Sequence, residues 1–245
     1  MCIRDSPYPE WSDWVAAHAD EVVAECSARS LQTNEPLRCA ALVPALSGID
    51  GPIALLEVGA SAGLCLYPDR YSYRYGGGED LDPREGTSTV VLHSAVIGVP
   101  PLRIPDVVWR AGIDLAPLDA ADADDRRFLL SLVWPGEDGR AARIDAALHI
   151  AAADPPLLVR GDAAERGALA ELAALAPRNA TLVITTPGVL PHIARTRFSR
   201  AFQDAVRLIV REFEAFVGAI AGALDDAWRG AEIPPRDTTT ATSVI

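Results

Sequence analysis

The stretch LLEVGASAGLCL, residues 55–66, decides how the rest of the chain is read. An apolar run ends in Gly59-Ala60-Ser61-Ala62-Gly63, and apolar residues resume behind it. A short continuous apolar run beside a glycine turn is the pattern of a strand buried on both faces, as in a parallel sheet. The turn admits two chemistries. Read as G-x-S-x-G, it is a nucleophile elbow with Ser61 as the acylated serine. Read as E-x-G-x-S-x-G, it is a cradle, in which Gly59 and Gly63 let a ligand approach the backbone. A helix starting at Ala60 would then offer that ligand its free N–H groups.

Working outward, residues 9–28 carry Trp11, Trp14, Val15, His18, Val22 and Val23 at helical spacing and predict one helix. TNEPLRCAALVPALSG (33–48) predicts a second, with Asn34 as N-cap, Pro36 in the first turn and Gly48 at the end. RYSYRYGGG (70–78) and STVVLHSAVIG (88–98) predict a hairpin. DVVWRAGIDLAPLD (106–119), PPLLVRGDA (155–163) and ATLVITTP (180–187) predict three further strands, the second of them buried. Helices are predicted over 122–135, 140–153 and 164–176, and a long helical pattern covers 197–228. Strands alternating with helices imply a Rossmann-like, doubly wound, mostly parallel α/β sheet over residues 51–228, behind an N-terminal helical segment, 7–50. The Pro- and Thr-rich residues 229–245 read as a disordered tail. The opening MCIRDS resembles a translated sequencing adaptor, and residues 1–6 are set aside from the fold.

Composition removes several function classes. All 22 basic residues are arginine, so a P-loop lysine and Schiff-base chemistry have no amine to use. The net charge of −12 makes bare nucleic acid an unexpected partner, because phosphate contacts need a basic face. Cys2, Cys26, Cys39 and Cys65 form no C-x-x-C pair and His18, His93, His149 and His192 are scattered, so no metal site is expected. No apolar run approaches the roughly 18 residues of a membrane span, and a cytoplasmic protein is expected.

Three strand ends weigh the two chemistries. Gly59 and Gly63 follow the first strand. Asp114 in GIDLAPLD follows the second, placed to accept hydrogen bonds from ribose hydroxyls, and Asp162 in RGDA follows the third, placed for an adenine amino group. Each also has a plainer role: the glycines in tight strand packing, Ser61, Asp114 and Asp162 as caps. Arg38 could reach a ligand or sit in a surface ion pair. A hydrolase would need Asp162 and His192 as triad partners and has no use for Glu57. An acid two residues before the first glycine is instead characteristic of S-adenosylmethionine (SAM) methyltransferases, with a small molecule or protein as substrate. A degenerate scaffold that binds a partner protein is the non-enzymatic alternative.

The segments QTNEPLRCAALVPAL, IALLEVGASAGLCLYPDRYSY, VVWRAGIDLAPLD, LVWPGEDGRAARIDAAL and ADPPLLVRGDA together resemble the bacterial domain-of-unknown-function family 2332 over residues 30 to 195. That family is similar in fold to SAM-dependent methyltransferases. The resemblance implies a Rossmann-like domain with Glu57, Gly59, Ser61 and Gly63 at the cofactor loop. Cys65 stands where the family pattern has a polar residue such as Asn. Thr185, Thr186 and Pro187 occupy the place of a substrate motif, without the DPPY or NPPY of amino-methylating nucleic-acid enzymes.

Overall fold

The computed structural model describes residues 8–32, 34–76, 78, 80–95, 102–165 and 167–188. The chain divides into two units, 1–161 with 177–189 and 162–176 with 190–245. In chain order the described elements are helices α1 (Tyr8–Ala17), α2 (Ala19–Ala28) and α3 (Cys39–Leu46), then strands β1 (Ile53–Val58), β2 (Ser72–Gly76), β3 (Asp80–Leu81), β4 (Val91–Ala95) and β5 (Val107–Asp114). Helices α4 (Ala123–Ser131) and α5 (Arg140–Ala153), strand β6 (Leu157–Arg160), helix α6 (Ala168–Ala173) and strand β7 (Thr181–Thr185) follow.

The first unit is α/β. Its main sheet runs β6-β5-β1-β7, and all three pairings are parallel. β1 is flanked on both sides, which is why all six residues of IALLEV are buried and why the run is apolar but for Glu57. β6 lies at an edge of the described sheet rather than in a buried position, and its end residues Leu157 and Arg160 are exposed.

The predicted hairpin is replaced by a second, three-stranded sheet of order β3-β2-β4. The short β3 turns straight back on β2 and takes its antiparallel edge, so β4 pairs with the other edge in parallel. Ser72 Oγ ties the crossing segment down, donating to Asp82 and accepting from Ser88 N at 2.8 Å. The tyrosines of YPDRYSYRY belong to the core. Tyr67, Tyr71, Tyr73 and Tyr75 are buried with α3 residues Cys39, Ala40 and Val43 and with the α5 stripe Ile144, Ala147, Leu148 and Ala151. Each phenol donates to a backbone carbonyl, of Asp154, Leu64, Pro68 and Ala40 respectively, which satisfies a polar tip that burial would leave stranded.

The expected single helix over 9–28 is two helices, broken at His18 (φ −118°). None of the α1 or α2 residues is buried, and Trp11 and Trp14 are 58% and 54% exposed, so the apolar spacing marks a surface stripe. Glu35, not Asn34, caps the next element: its side chain accepts from Leu37 N, and Pro36 opens a 3₁₀ turn, Pro36–Arg38, that runs into α3. α4 and α5 fall where the pattern places them, α4 capped by Asp122.

In the second unit α6 is six residues long and starts behind Gly167 (φ +94°), well short of the predicted 164–176. The helical pattern at 197–228, the tail at 229–245 and residues 1–6 lie outside the described residues. Among the described residues no helix is long and apolar enough to cross a membrane.

Candidate functional site at the end of the inner strand

The turn behind β1 is left-handed at three of five residues: Gly59 (φ +74°), Ser61 (φ +52°) and Gly63 (φ +73°). Glycine adopts this region freely, whereas serine adopts it at a cost. The α-helix expected from Ala60 does not form, and a single 3₁₀ turn, Leu64–Leu66, stands in its place. This turn is packed closely on β5 and on the chain around the start of β6. A Cβ on Gly112 would collide with Ala60 Cβ and reach within 2.9 Å of Leu158 Cδ2, and one on Gly63 would reach within 3.0 Å of Pro156 Cγ. An isolated glycine inside a strand signals such an approach, and Gly112 is the residue that sequence reasoning passed over.

The N–H groups expected to face a ligand are bonded inside the protein. Gly59 N donates to Ile113 O at 2.8 Å, Gly63 N to Ala60 O at 2.6 Å, and Ser61 N to Asp114 Oδ2 at 2.9 Å. Asp114 Oδ1 accepts from Ala116 N at 2.8 Å, so both carboxylate oxygens hold backbone, each keeping acceptor capacity for one further donor. Ser61 is 5% exposed, its hydroxyl donates to Gln32 Oε1, and its carbonyl accepts from Leu118 N at 3.1 Å. Among the described residues no histidine hydrogen-bonds the Ser61 hydroxyl, and His192 lies outside them.

Glu57 sits opposite Gly112 on one side and Thr185 on the other. It is 3% exposed, and among the described residues its Oε2 has no hydrogen-bond partner. Burial pushes its carboxyl well above the usual range, the Cys65 and Asp114 groups push the same way, and the Arg38 guanidinium opposes them. Arg38 reaches this place from the Pro36–Arg38 turn, and its NH1 would stand 2.5 Å from a Cβ on Gly188. The segment carrying Arg38 is clamped from α5. Arg143 Nε and one terminal nitrogen donate to Glu35 at 2.9 and 3.1 Å, and Arg140 Nε lies 3.1 Å from the same carboxylate. Burial raises Glu35, but the Arg143 hydrogen bond, the Leu37 N–H and the two guanidinium charges outweigh it, and the carboxyl is held below its usual value.

Cys39 Sγ donates to Cys65 O at 3.5 Å and Cys65 Sγ to Glu35 O at 3.6 Å. The hydrogen bond with Cys39, then burial, pushes the Cys65 thiol well above its usual value. A cleft of about 300 Å³ opens beside the turn, lined by Ala62, Leu118, Asp119, Ala151, Pro156 and Leu158 among others. The structure therefore gathers Glu57, Gly59, Ser61, Gly63 and Asp114 at one strand end. Asp162 belongs to the second unit, where its Oδ1 accepts from Ala164 N at 2.8 Å and caps a turn.

An inner parallel strand that ends in a buried carboxylate and a glycine turn defines an α/β protein whose candidate site lies at the strand ends. The chain belongs to the family described as uncharacterized protein conserved in bacteria (DUF2332), whose pattern matches residues 3–216, further at both ends than the motifs reach. No curated protein and no solved structure matches it.

Proposed function

We propose that the protein is a SAM-binding, methyltransferase-like enzyme acting on a small molecule or a protein. The observation that carries this reading is the strand order. From β1 the chain adds β5 and β6 on one side and then places β7 on the other, the third-second-first-fourth order of a Rossmann-like sheet. Ligands of such sheets bind outside the carboxyl ends of the strands where the order reverses, here between β1 and β7. The residues at that point fit a nucleoside cofactor with an amino-acid end. Gly59, Thr186 and Gly188 are partly exposed, and among the described residues Glu57 keeps one unpartnered oxygen. Bound SAM supplies an activated methyl group. The chain's own contribution is position, with Asp114 holding the turn and the Thr185–Thr186 strand end flanking the substrate side.

A second reading, a non-catalytic Rossmann-like scaffold, draws on the internal bonding of the N–H groups of Gly59, Ser61 and Gly63. Titration calorimetry of the folded protein with SAM and S-adenosylhomocysteine separates the two. Saturable binding of either compound supports the enzyme, and no heat with both overturns it in favour of the scaffold. A serine hydrolase keeps one observation, the left-handed Ser61 of its G-x-S-x-G turn. Fluorophosphonate labelling that disappears in Ser61→Ala is the result it requires.

A further inference from the structure

We propose that the N-terminal arm, residues 8–32, is a hinged cover over the glycine turn, latched by Arg29 and Gln32 and opened to admit a ligand. The proposal takes from the reading above only that the strand ends are the ligand's place, and it does not depend on SAM. The latch at the turn is the Gln32 carboxamide. Its oxygen accepts from the Ser61 hydroxyl behind β1, and its Nε2 donates to Ala116 O behind β5 at 2.7 Å. One side chain thus lies across two neighbouring strand ends, and Ser61 is 5% exposed. Among the described residues Ser61 is the one non-glycine residue in the left-handed region, and strain of this kind gathers at ligand sites and switches. The second latch is Arg29, the C-cap of α2. Its guanidinium reaches Asp125 of α4 at 3.3 Å and lies over the Phe128 ring at 4.8 Å. The arm has no buried core to lose: no residue of α1 or α2 is buried. Polar and charged ties between partly exposed groups contribute modestly, so lifting the arm is a low-cost local opening. The charged groups also keep partners when they separate. Arg29 retains Glu25 at 3.1 Å on its own helix, and Asp125 retains the Asp119 N–H at 2.9 Å. The chain beyond the arm stays fixed, because Glu35 is held by Arg140 and Arg143 of α5. The hinge therefore falls just past Gln32, and opening uncovers the Ser61 hydroxyl and the Ala116 carbonyl for a polar ligand to take up in place of the carboxamide.

Hydrogen exchange of the whole chain without ligand, read by peptide mass analysis, tests the cover. Gln32→Ala is expected to speed exchange at residues 59–63 and in the arm about fivefold or more, while α5 is unchanged. Arg29→Ala is expected to do the same, and the parent to follow in part as salt rises, because salt screens the ion pair. Unchanged exchange at the turn in both variants overturns the cover, as does faster exchange of the arm alone. An equal rise at the turn and at α5 is general destabilisation and also overturns it. Calorimetry with SAM then reads what the cover controls. Apparent affinity scales with the open fraction, so SAM is expected to bind Gln32→Ala tighter by about the factor seen in exchange. SAM affinity that is unchanged or weaker in Gln32→Ala overturns the cover, because the carboxamide then does not compete with the ligand. No SAM binding to parent or variant overturns the SAM reading, and the cover stands or falls on the exchange result.

Discussion

Asp114 holds Ser61 in place: one carboxylate oxygen accepts from Ser61 N at 2.9 Å while the other accepts from Ala116 N at 2.8 Å. A single side chain at the end of β5 thereby fixes the turn behind β1 and the start of its own loop. Asp114→Ala leaves the buried Ser61 N–H without an acceptor. The expected loss is about 1–3 kcal/mol of unfolding free energy, measured by chemical denaturation. Asp114→Asn keeps one acceptor oxygen and is expected to lose less. Equal stability of Asp114→Ala and the parent would show that the turn does not depend on this contact.

Gly112→Ala tests whether the turn is packed on the sheet. The added methyl would overlap Ala60 and Leu158, so overpacking is expected to cost about 1–3 kcal/mol. Its effect and that of Asp114→Ala are expected to be non-additive in a double-mutant cycle, because Gly112 and Asp114 support the same turn from one strand.

Glu57 supplies a prediction of the opposite sign. Its folded-state pKa is raised above the usual 4.5, so its contribution is full below that value and is lost as pH rises through the folded value. Glu57→Gln is expected to raise the denaturation midpoint at pH 7 and to change little at pH 4. A midpoint that falls at pH 7 would mean that the charged form is held by more than the described residues.

Glu35 titrates the other way. Its pKa is lowered, so the clamp stabilises the protein above about pH 4.5 and is lost as pH falls through the folded value. Glu35→Gln is expected to flatten the acid limb of a stability–pH profile measured by chemical denaturation.

Thiol reactivity checks the packing around Cys65. Cys26 is exposed, whereas Cys39 and Cys65 are buried and the Cys65 thiol is raised well above 9. Alkylation at pH 8 followed by peptide mass analysis is expected to modify Cys26 readily, and Cys39 and Cys65 only after unfolding. Rapid labelling of Cys65 in the native protein would contradict a closed turn.

Much of the architecture was legible in local pattern. β1, β5 and β7 follow from short apolar runs, and α4 and α5 from helical spacing with a cap at Asp122. The misreadings share a cause. YSYRY and VVLHS both carry strand pattern, but which edge of β2 each neighbour takes depends on residues far apart in sequence, and β3 claimed the antiparallel edge first. Glu57 and the glycines stood out in the sequence. Arg38 and Cys65, which act on Glu57, and Gly188, which lies against Arg38, are brought together only by the fold.

The sequence by itself determined an α/β protein, the glycine turn behind a buried strand, and a carboxylate at that strand's end, because residue spacing and glycine's freedom act locally. Tertiary structure decided the rest. A single 3₁₀ turn stands where a helix was expected, packed closely on Gly112, Asp114 was drawn onto backbone N–H groups, and Glu57 was left buried within reach of the Arg38 charge. Those outcomes depend on packing volume and desolvation, which exist only once distant segments are brought together.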